Sequence, residues 1–271
     1  MKKQIILISL LLLISATVLW AQTKETRSVD TFTKISFRVP GKLYLRQGSP
    51  QKVVIEGKKD ILAEIETNVD EDRLVIGKEG KWDWKWGSDD EVNVYITVKD
   101  IEGLSVGGSG DLIGETKIIT NNINLNVSGS GNMKVEVDAS GDLESDVSGS
   151  GNIDLKGKCR SFSSDVSGSG KVFLSLQSSG PAAFGVTGSG KIEASGTASR
   201  VKASISGSGK ILAADLETDR CEVRIAGSGD IEINVKNELD ANITGSGNVR
   251  YRGNPSKVNS HSAGSGHVRK L

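Results

Sequence analysis

Few residues of this chain are cysteine, histidine, proline or aromatic. The 271 residues include two cysteines, two histidines and four prolines, and aromatic side chains make up 4% of the total. The two histidines, His261 and His267, both lie near the C-terminal end and leave little for histidine-based catalysis. Two cysteines allow one disulfide at most in a secreted chain.

Long hydrophobic runs are also absent after the first twenty residues. Ile5 to Leu19 is apolar apart from Ser9, Ser15 and Thr17, and it follows a basic start at Lys2 and Lys3. The run is short for a membrane-spanning helix, which needs about 20 residues. A small residue, Ala21, follows at a suitable cleavage point, so residues 1–21 are predicted to be a signal peptide and the mature chain to be exported without a membrane span. The destination is the periplasm, the cell surface or the surroundings.

The chain has no excess of either charge. Removing residues 1–21 takes away Lys2 and Lys3 and leaves 32 basic against 34 acidic side chains. Nucleic-acid binding is driven by basic protein surfaces, so this balance argues against nucleic acid as a partner.

Glycine, in contrast, is abundant, and it recurs at a fixed spacing. Gly-Ser-Gly, followed by a polar and then an apolar residue, occurs nine times at intervals of 18 to 21 residues, ending at Gly110, Gly131, Gly151, Gly170, Gly190, Gly209, Gly229, Gly247 and Gly266. A period of this size indicates a repeat array. Between the glycines, apolar and polar residues alternate with period two, as in Met133 to Val137 and Leu143 to Val147, which predicts two short strands per repeat.

A repeat of two short strands cannot bury its own apolar face, so successive repeats must stack. The predicted fold is therefore an all-β, single-stranded, right-handed parallel β-helix with coils of about 20 residues, right-handed because parallel crossovers are. Glycines suit its corners because they adopt positive φ. The coil register stacks apolar residues in columns such as Leu112, Met133, Ile153 and Val172. We expect one domain over residues 22–271, with irregular first coils and a cap at 28–107 and regular repeats at 108–268.

The irregular region is also rich in predicted strands, at Phe32–Phe37, Lys42–Arg46, Lys52–Glu56, Arg73–Gly77 and Glu91–Val98. Residues 60–67 are predicted as a helical turn or another strand. With Gly108-Ser109-Gly110-Asp111 after them, these segments resemble the bacterial auto-transporter adhesin, head GIN domain family, and the resemblance covers nearly all of residues 28–268. It implies a right-handed β-helix in a bacterial envelope. It implies no catalytic residue, cofactor or metal ligand.

Three tryptophans alternate in the mature chain, Trp82, Trp84 and Trp86. On a strand they would share one face, and such a strip stacks on sugar rings or anchors a partner protein. It could instead pack over the end or side of the solenoid. We carry the three tryptophans as candidate ligand-binding residues, with a glycan or an envelope protein as the partner; the oligomeric state stays open.

The same register gives further expectations. Cys159 and Cys221 fall about three coils, or roughly 14 Å, apart, too far for a disulfide, so two buried free thiols are predicted. Lys171, Lys191 and Lys210 should form a basic ladder, either a solvated face or a site for an acidic glycan or phosphate, and Asn132 and Asn152 an amide ladder. A calcium site is not expected, because calcium-binding β-rolls need a nine-residue period.

The function predicted from these features is an exported, non-catalytic binding or adhesion module of the cell envelope, with no metal and no cofactor. The alternative is a polysaccharide-cleaving β-helix enzyme, which needs clustered carboxylates or a calcium site with a basic catalytic residue in one groove. Outward acids such as Asp146 and Asp165 share their positions with Ser, Arg and Asn in other coils, which favours binding over catalysis.

Overall fold

The computed structural model describes residues 22–78 and 91–271. Within these ranges it contains 23 strands and the single-turn helix α1 (Lys59–Leu62). The strands are β1 (Thr23–Arg27), β2 (Lys34–Phe37), β3 (Lys42–Gln47), β4 (Lys52–Gly57), β5 (Glu66–Asp70), β6 (Arg73–Gly77), β7 (Asn93–Val98), β8 (Gly103–Gly108), β9 (Asp111–Gly114), β10 (Ile118–Thr120), β11 (Ile123–Gly129), β12 (Asn132–Ala139), β13 (Asp142–Gly149), β14 (Asn152–Cys159), β15 (Ser161–Gly168), β16 (Lys171–Ser178), β17 (Pro181–Gly188), β18 (Lys191–Gly207), β19 (Lys210–Gly227), β20 (Asp230–Gly245), β21 (Asn248–Arg252), β22 (Lys257–Gly264) and β23 (Val268–Lys270).

The strands stack in two parallel columns, which confirms the predicted β-solenoid. We call them sheet 1, made of the strands that follow a Gly-Ser-Gly corner, and sheet 2, made of the strands that precede one. Sheet 1 runs β9–β12–β14–β16, and sheet 2 runs β8–β11–β13–β15–β17. From β18 to β20 one long strand crosses both sheets in each coil. The right-handed sense of the winding stays a prediction.

The two glycines of each corner have different roles. The first has positive φ in all nine corners, as at Gly149 with φ +115°. The second does not, although both were expected to supply positive φ. A Cβ on Gly151 would lie 2.4 Å from the carbonyl oxygen of Gly131 and 2.5 Å from Cγ1 of Val127. The second glycine is therefore required because successive corners stack too closely for a side chain.

Apolar columns fill the interior in the predicted register. The first inward-pointing residues of the sheet 1 strands stack Met133 on Ile153 and Ile153 on Val172, and all three are buried. On sheet 2 the column before the corner stacks Val147 on Val166. Both columns continue through the middle coils with side chains that are at most 2% exposed. Burial of these aliphatic rows is the main driving force for stacking coil on coil.

The N-terminal region departs from sequential winding. Along the solenoid axis the coil of β6 and β7 comes first, the coil of β2 and β3 is stacked on it, and β8 and β9 follow. Three antiparallel strands, β1, β4 and β5, form the rim. Phe32, Ile61, Leu62 and Ile65 are buried in this region, which is the predicted cap. Residues 60–67 supply both structures that were considered, since α1 ends at Leu62 and β5 begins at Glu66.

The C-terminal end differs from the cap. Every residue of β22 is exposed, and Val258, in an otherwise buried column, is 40% exposed. Within the described ranges β22 pairs only with β20, and β23 only with β21. The last coil therefore keeps the shape of a repeat, and among the described residues no strand pairs with its outer side.

Candidate functional site

The outer face of sheet 1 carries a row of large side chains along the solenoid. Strand alternation directs every second residue outward, and the register places one outward residue per coil in the same row. From the cap to the last coil this row contains Val54, Tyr95, Tyr44, Ile113, Lys134, Asp154, Phe173, Glu193, Leu212, Glu232, Arg250 and Arg269. Six of the twelve are apolar or aromatic, which is unusual for a solvent-facing row.

A groove of about 830 Å³ follows this row across the middle coils. Phe173 projects into it and is 38% exposed, one of the few large apolar side chains that remain so accessible. Leu155, Leu174 and Ala194 lie beneath it, with their side chains buried in the solenoid. The groove is open to solvent, so it suits an elongated ligand lying along the solenoid rather than a small molecule enclosed on all sides.

A bulge in β19 shapes the C-terminal end of the groove. Between β18 and β19, Glu193 pairs with Leu212 but Ser195 pairs with Asp215, so one extra residue stands in β19. Asp215 accepts a hydrogen bond at 2.9 Å from the guanidinium of Arg252, two coils further on. Bulges commonly re-aim side chains at functional sites. Here the bulge places an ion pair where the groove ends.

The charges around the groove neutralise one another. Lys134 pairs with Asp154 at 3.0 Å, and Arg250 pairs with Glu232 at 3.0 Å. A hydrogen bond from Lys117, together with one from Lys156, lowers the pKa of the Glu136 carboxyl, which therefore stays ionised at neutral pH. The groove thus offers the ring of Phe173 between paired polar side chains, with no strong field of one sign.

A second, smaller cavity of about 400 Å³ lies beside the cap on the same face. Tyr44 and Tyr95 stack there with their ring centroids 5.3 Å apart and their planes inclined by 13°. The ammonium of Lys24 lies 5.5 Å from the centroid of Tyr95, and the hydroxyl of Tyr95 donates to Glu56 at 3.0 Å. Burial is the main cause that raises the pKa of Tyr95, and the hydrogen bond to Glu56 adds to it. Gly114 and Glu115, neighbours in the chain, line the large groove and this cavity respectively.

The candidate residues Trp82, Trp84 and Trp86 lie outside the described residues. Strand β6 ends at Gly77 and β7 begins at Asn93, so they belong to the connection between the two strands of the outermost coil. Glu91, the first described residue after this connection, forms an ion pair with Lys42 at 3.3 Å. A ligand-binding role for the tryptophans stays a prediction.

The predicted ladders on sheet 1 are confirmed. Lys171 pairs in register with Lys191, and Lys191 with Lys210. Lys191 also forms an ion pair with Glu193 on the rim of the groove. The amide ladder forms beside it, where Asn152 donates to Asn132 at 2.7 Å and Asn132 donates to Asp111 at 2.7 Å. The amide ladder stabilises the stacking of coils through its hydrogen bonds, whereas the stacked lysines repel one another.

Asp146 and Asp165 stack directly on each other, but on the outer face of sheet 2, away from the groove. Burial is the main cause that raises the pKa of Asp146, and repulsion from Asp165 and Glu144 adds to it. Among the described residues no three histidine, cysteine or acidic side chains gather in a way that could hold a metal ion.

Both cysteines are free and buried, which confirms the predicted thiols. The register separates them by three coils, because Cys221 stacks through Val201 and Ala182 onto Phe162, which is in the coil of Cys159. Burial raises the pKa of Cys159 to about 11 and that of Cys221 to about 12. We therefore expect both thiols to be poor nucleophiles in the folded protein.

Sequence reasoning missed Phe173, Tyr44 and Tyr95. The signal was present, since Phe173 follows a residue of the first inward column and Tyr44 lies between inward Leu43 and Leu45. Both must therefore point outward. What the alternation could not show is that these residues share one row, because that depends on how the irregular N-terminal coils stack on the repeats.

The fold and the groove define a repetitive β-solenoid with a ligand-sized surface groove and no recognisable catalytic centre in its described part. Residues 31–176 and 178–255 match the family described as "Putative auto-transporter adhesin, head GIN domain", and the chain belongs to this family. No curated protein is significantly similar to the chain. Within the described residues, no helix has the length and apolarity needed to cross a membrane.

Solved structures share the fold over almost the whole chain. A "Putative lipid binding protein" from Parabacteroides distasonis is 25% identical, with a TM-score of 0.69, and the match covers 92% of this chain and 96% of that one. A "putative adhesin" from Parabacteroides merdae is 21% identical, with a TM-score of 0.71 and coverage of 92% and 96%. A further "putative adhesin" from Parabacteroides distasonis is 20% identical, with a TM-score of 0.70 and coverage of 93% and 97%. These family and structure descriptions name adhesins and a binding protein, not enzymes.

Proposed function

We propose that this protein is an exported, non-catalytic binding module of the bacterial cell envelope, and that it binds an elongated glycan along the outer face of sheet 1. The groove around Phe173 carries the proposal. An exposed phenyl ring gives a sugar an apolar face to stack on, and the ion pairs beside it offer hydrogen-bonding groups to hydroxyls. Residues 22–271 act as one domain in this proposal.

The relative described as lipid-binding suggests a different ligand for the same face. A lipid chain gains affinity by leaving water completely, whereas this groove is open along its length and bordered by charged side chains. The openness favours a polar polymer that stays partly hydrated. A lipid is therefore the outcome against which the glycan proposal is tested.

Export is supported by residues 1–21, which have a basic start, an apolar run and a small residue before Gln22. The family's adhesin description agrees with a surface or extracellular location. Cell fractionation with N-terminal sequencing should find the mature chain outside the cytoplasm, beginning at Gln22. A full-length chain retained in the cytoplasm would contradict this part of the proposal.

The ligand proposal is tested with Phe173→Ala, because losing a stacking ring typically costs about 1 kcal/mol or more, close to a tenfold change in affinity. Ile119→Ala is the matched control, since Ile119 is an apolar side chain, 67% exposed, that does not line the groove. Binding would be measured on a glycan array and, in parallel, on vesicles and free fatty acids. We expect glycan binding that weakens about tenfold in Phe173→Ala and is unchanged in Ile119→Ala.

Binding of fatty acids or vesicles without any glycan would favour the lipid. Equal glycan binding by the wild type and Phe173→Ala would contradict the groove as the site. In that case a variant with alanine at Trp82, Trp84 and Trp86 tests the alternative location, with far-ultraviolet circular dichroism confirming that it folds.

A further inference from the structure

The C-terminal edge of sheet 2 is long and nearly uncharged. Strand β22 has eight exposed residues, and the one formal charge among their side chains at neutral pH is Lys257. Within the described ranges one side of β22 pairs with β20 and the other side has no partner strand. Proteins usually protect such an edge with charges, bulges or a covering segment, because it is a template for another strand.

The opposite end of the same sheet is built differently. Strand β5 is its edge there, pairing within the described ranges only with β6, and it is five residues long. It carries exposed Glu66 and Asp70, and the turn that follows adds Glu71 and Asp72. At this end Asp72 pairs with Lys34 at 2.8 Å and Asp70 lies opposite Arg73, whereas Glu66 and Glu71 form no ion pair among the described residues. From Arg250 onward the chain contains five basic and no acidic residues, of which Arg250, Arg252 and Lys257 pair with acids of earlier coils.

The register through the solenoid relates these two edges position by position. Glu66 pairs with Gly77, one residue beyond Ile76, and Ile76 occupies the column that ends at Ser262. Glu66 and Ala263 therefore lie in the same outward row at opposite ends of the molecule. Counted in the same way, Asp70 shares a row with Asn259. The acidic turn after β5 is aligned in register with Lys257, the first residue of β22.

We propose that copies of this protein associate head to tail, with β5 of one copy adding antiparallel to β22 of the next. Lys257, at the start of β22, then lies near Glu71 in the turn after β5, and β22 gains a strand on the side where no described strand pairs with it. The alternative, β22 pairing with itself in a two-fold dimer, would bring two basic ends together. A head-to-tail contact does not close on itself, so it produces open chains of solenoids rather than a defined dimer.

Ala263→Glu tests the proposal because it places a carboxylate opposite Glu66 of the next copy. Ala226→Glu is the matched control, since Ala226 occupies the same outward row in the middle of the solenoid and is exposed. The purified full chain would be followed by sedimentation velocity over a range of concentrations and by negative-stain electron microscopy. We expect end-to-end oligomers that lengthen with concentration, an association about tenfold weaker in Ala263→Glu, and no change in Ala226→Glu.

Mixing separates head-to-tail from two-fold association. Glu66→Lys gives the acidic end a lysine opposite position 263, so adding it to Ala263→Glu should restore association between the two variants. Two-fold pairing through β22 predicts no restoration and a limit at the dimer. A wild-type chain that stays monomeric at high concentration, or an Ala226→Glu variant weakened as much as Ala263→Glu, would also overturn the proposal.

Discussion

The middle coils and the last coil have the same repeat but different surroundings. Cys221 in a middle coil and Val258 in the last belong to one column, yet Cys221 is 3% exposed and Val258 is 40% exposed. The Gly-Ser-Gly corner is present in both. The repeat therefore specifies a shape, and burial between two neighbouring coils supplies most of the stability.

The largest difference in stability between the middle coils and the last coil is expected for substitutions in the core. Phe184 is 2% exposed and packs on Phe162 with a centroid distance of 6.0 Å. Phe184→Ala should destabilise the protein by about 3–5 kcal/mol, because the cavity it leaves cannot be filled by the stacked neighbours. Val258→Ala in the last coil should cost less than about 1 kcal/mol. Urea unfolding of both variants measures the difference, and equal losses would contradict it.

Thiol reactivity compares the two regions within one column. Cys221 is buried, and burial raises its pKa to about 12, so it should react with a thiol reagent at pH 8 only after unfolding. Cys159, with a pKa of about 11, should behave in the same way. A cysteine introduced by Val258→Cys should be labelled at least about 100-fold faster in native buffer. Mass spectrometry after timed labelling counts the modified thiols, and rapid native labelling at Cys221 would disprove its burial.

The corners provide the next comparison. A Cβ on Gly151 would meet the carbonyl oxygen of Gly131 at 2.4 Å, and one on Gly266 would meet that of Gly247 at 2.3 Å. The clash is the same, but only the last coil can move away from its single neighbour. Gly151→Ala should cost about 2–3 kcal/mol and Gly266→Ala less than half of that. Gly48→Ala, whose Cβ would meet its nearest atom at 3.6 Å, is the control for loss of glycine.

The sequence predicts the regular region well because each repeat restates the same physical requirements. The columns around Val147, the separation of the two cysteines and the asparagine ladder all follow from one register. The N-terminal coils do not repeat, so their order along the solenoid could not be derived from the sequence. In the structure the coil of β2 and β3 lies between the coil of β6 and β7 and the coil of β8 and β9. The groove depends on that order and on one extra residue in β19, which no periodicity reveals.

Buried hydroxyls should have a smaller effect that again depends on position. Ser164 is 1% exposed, and its Oγ has no hydrogen-bond partner among the described residues. Ser260, two residues beyond Val258, occupies the same column in the last coil and is exposed. Ser164→Ala should stabilise the protein by about 1 kcal/mol, because an unsatisfied buried hydroxyl is removed, and Ser260→Ala should change little. A loss of stability in Ser164→Ala would show that this hydroxyl is satisfied.

Substitutions on the outer face of a middle coil should have the smallest effect on stability. Where they remove a charge, the effect should depend on pH. The raised pKa of Asp146 means that the folded protein holds this proton more tightly than the unfolded chain, whose value is about 3.9. Ionisation of Asp146 therefore lowers stability as the pH rises through the raised pKa, and the penalty is complete at neutral pH. Asp146→Asn should stabilise by a few tenths of a kcal/mol at pH 7 and by nothing below about pH 4. Ser148→Ala, an exposed change on the same strand, should show no such pH dependence, and a gain in Asp146→Asn that persists at pH 3 would assign the effect to packing rather than charge.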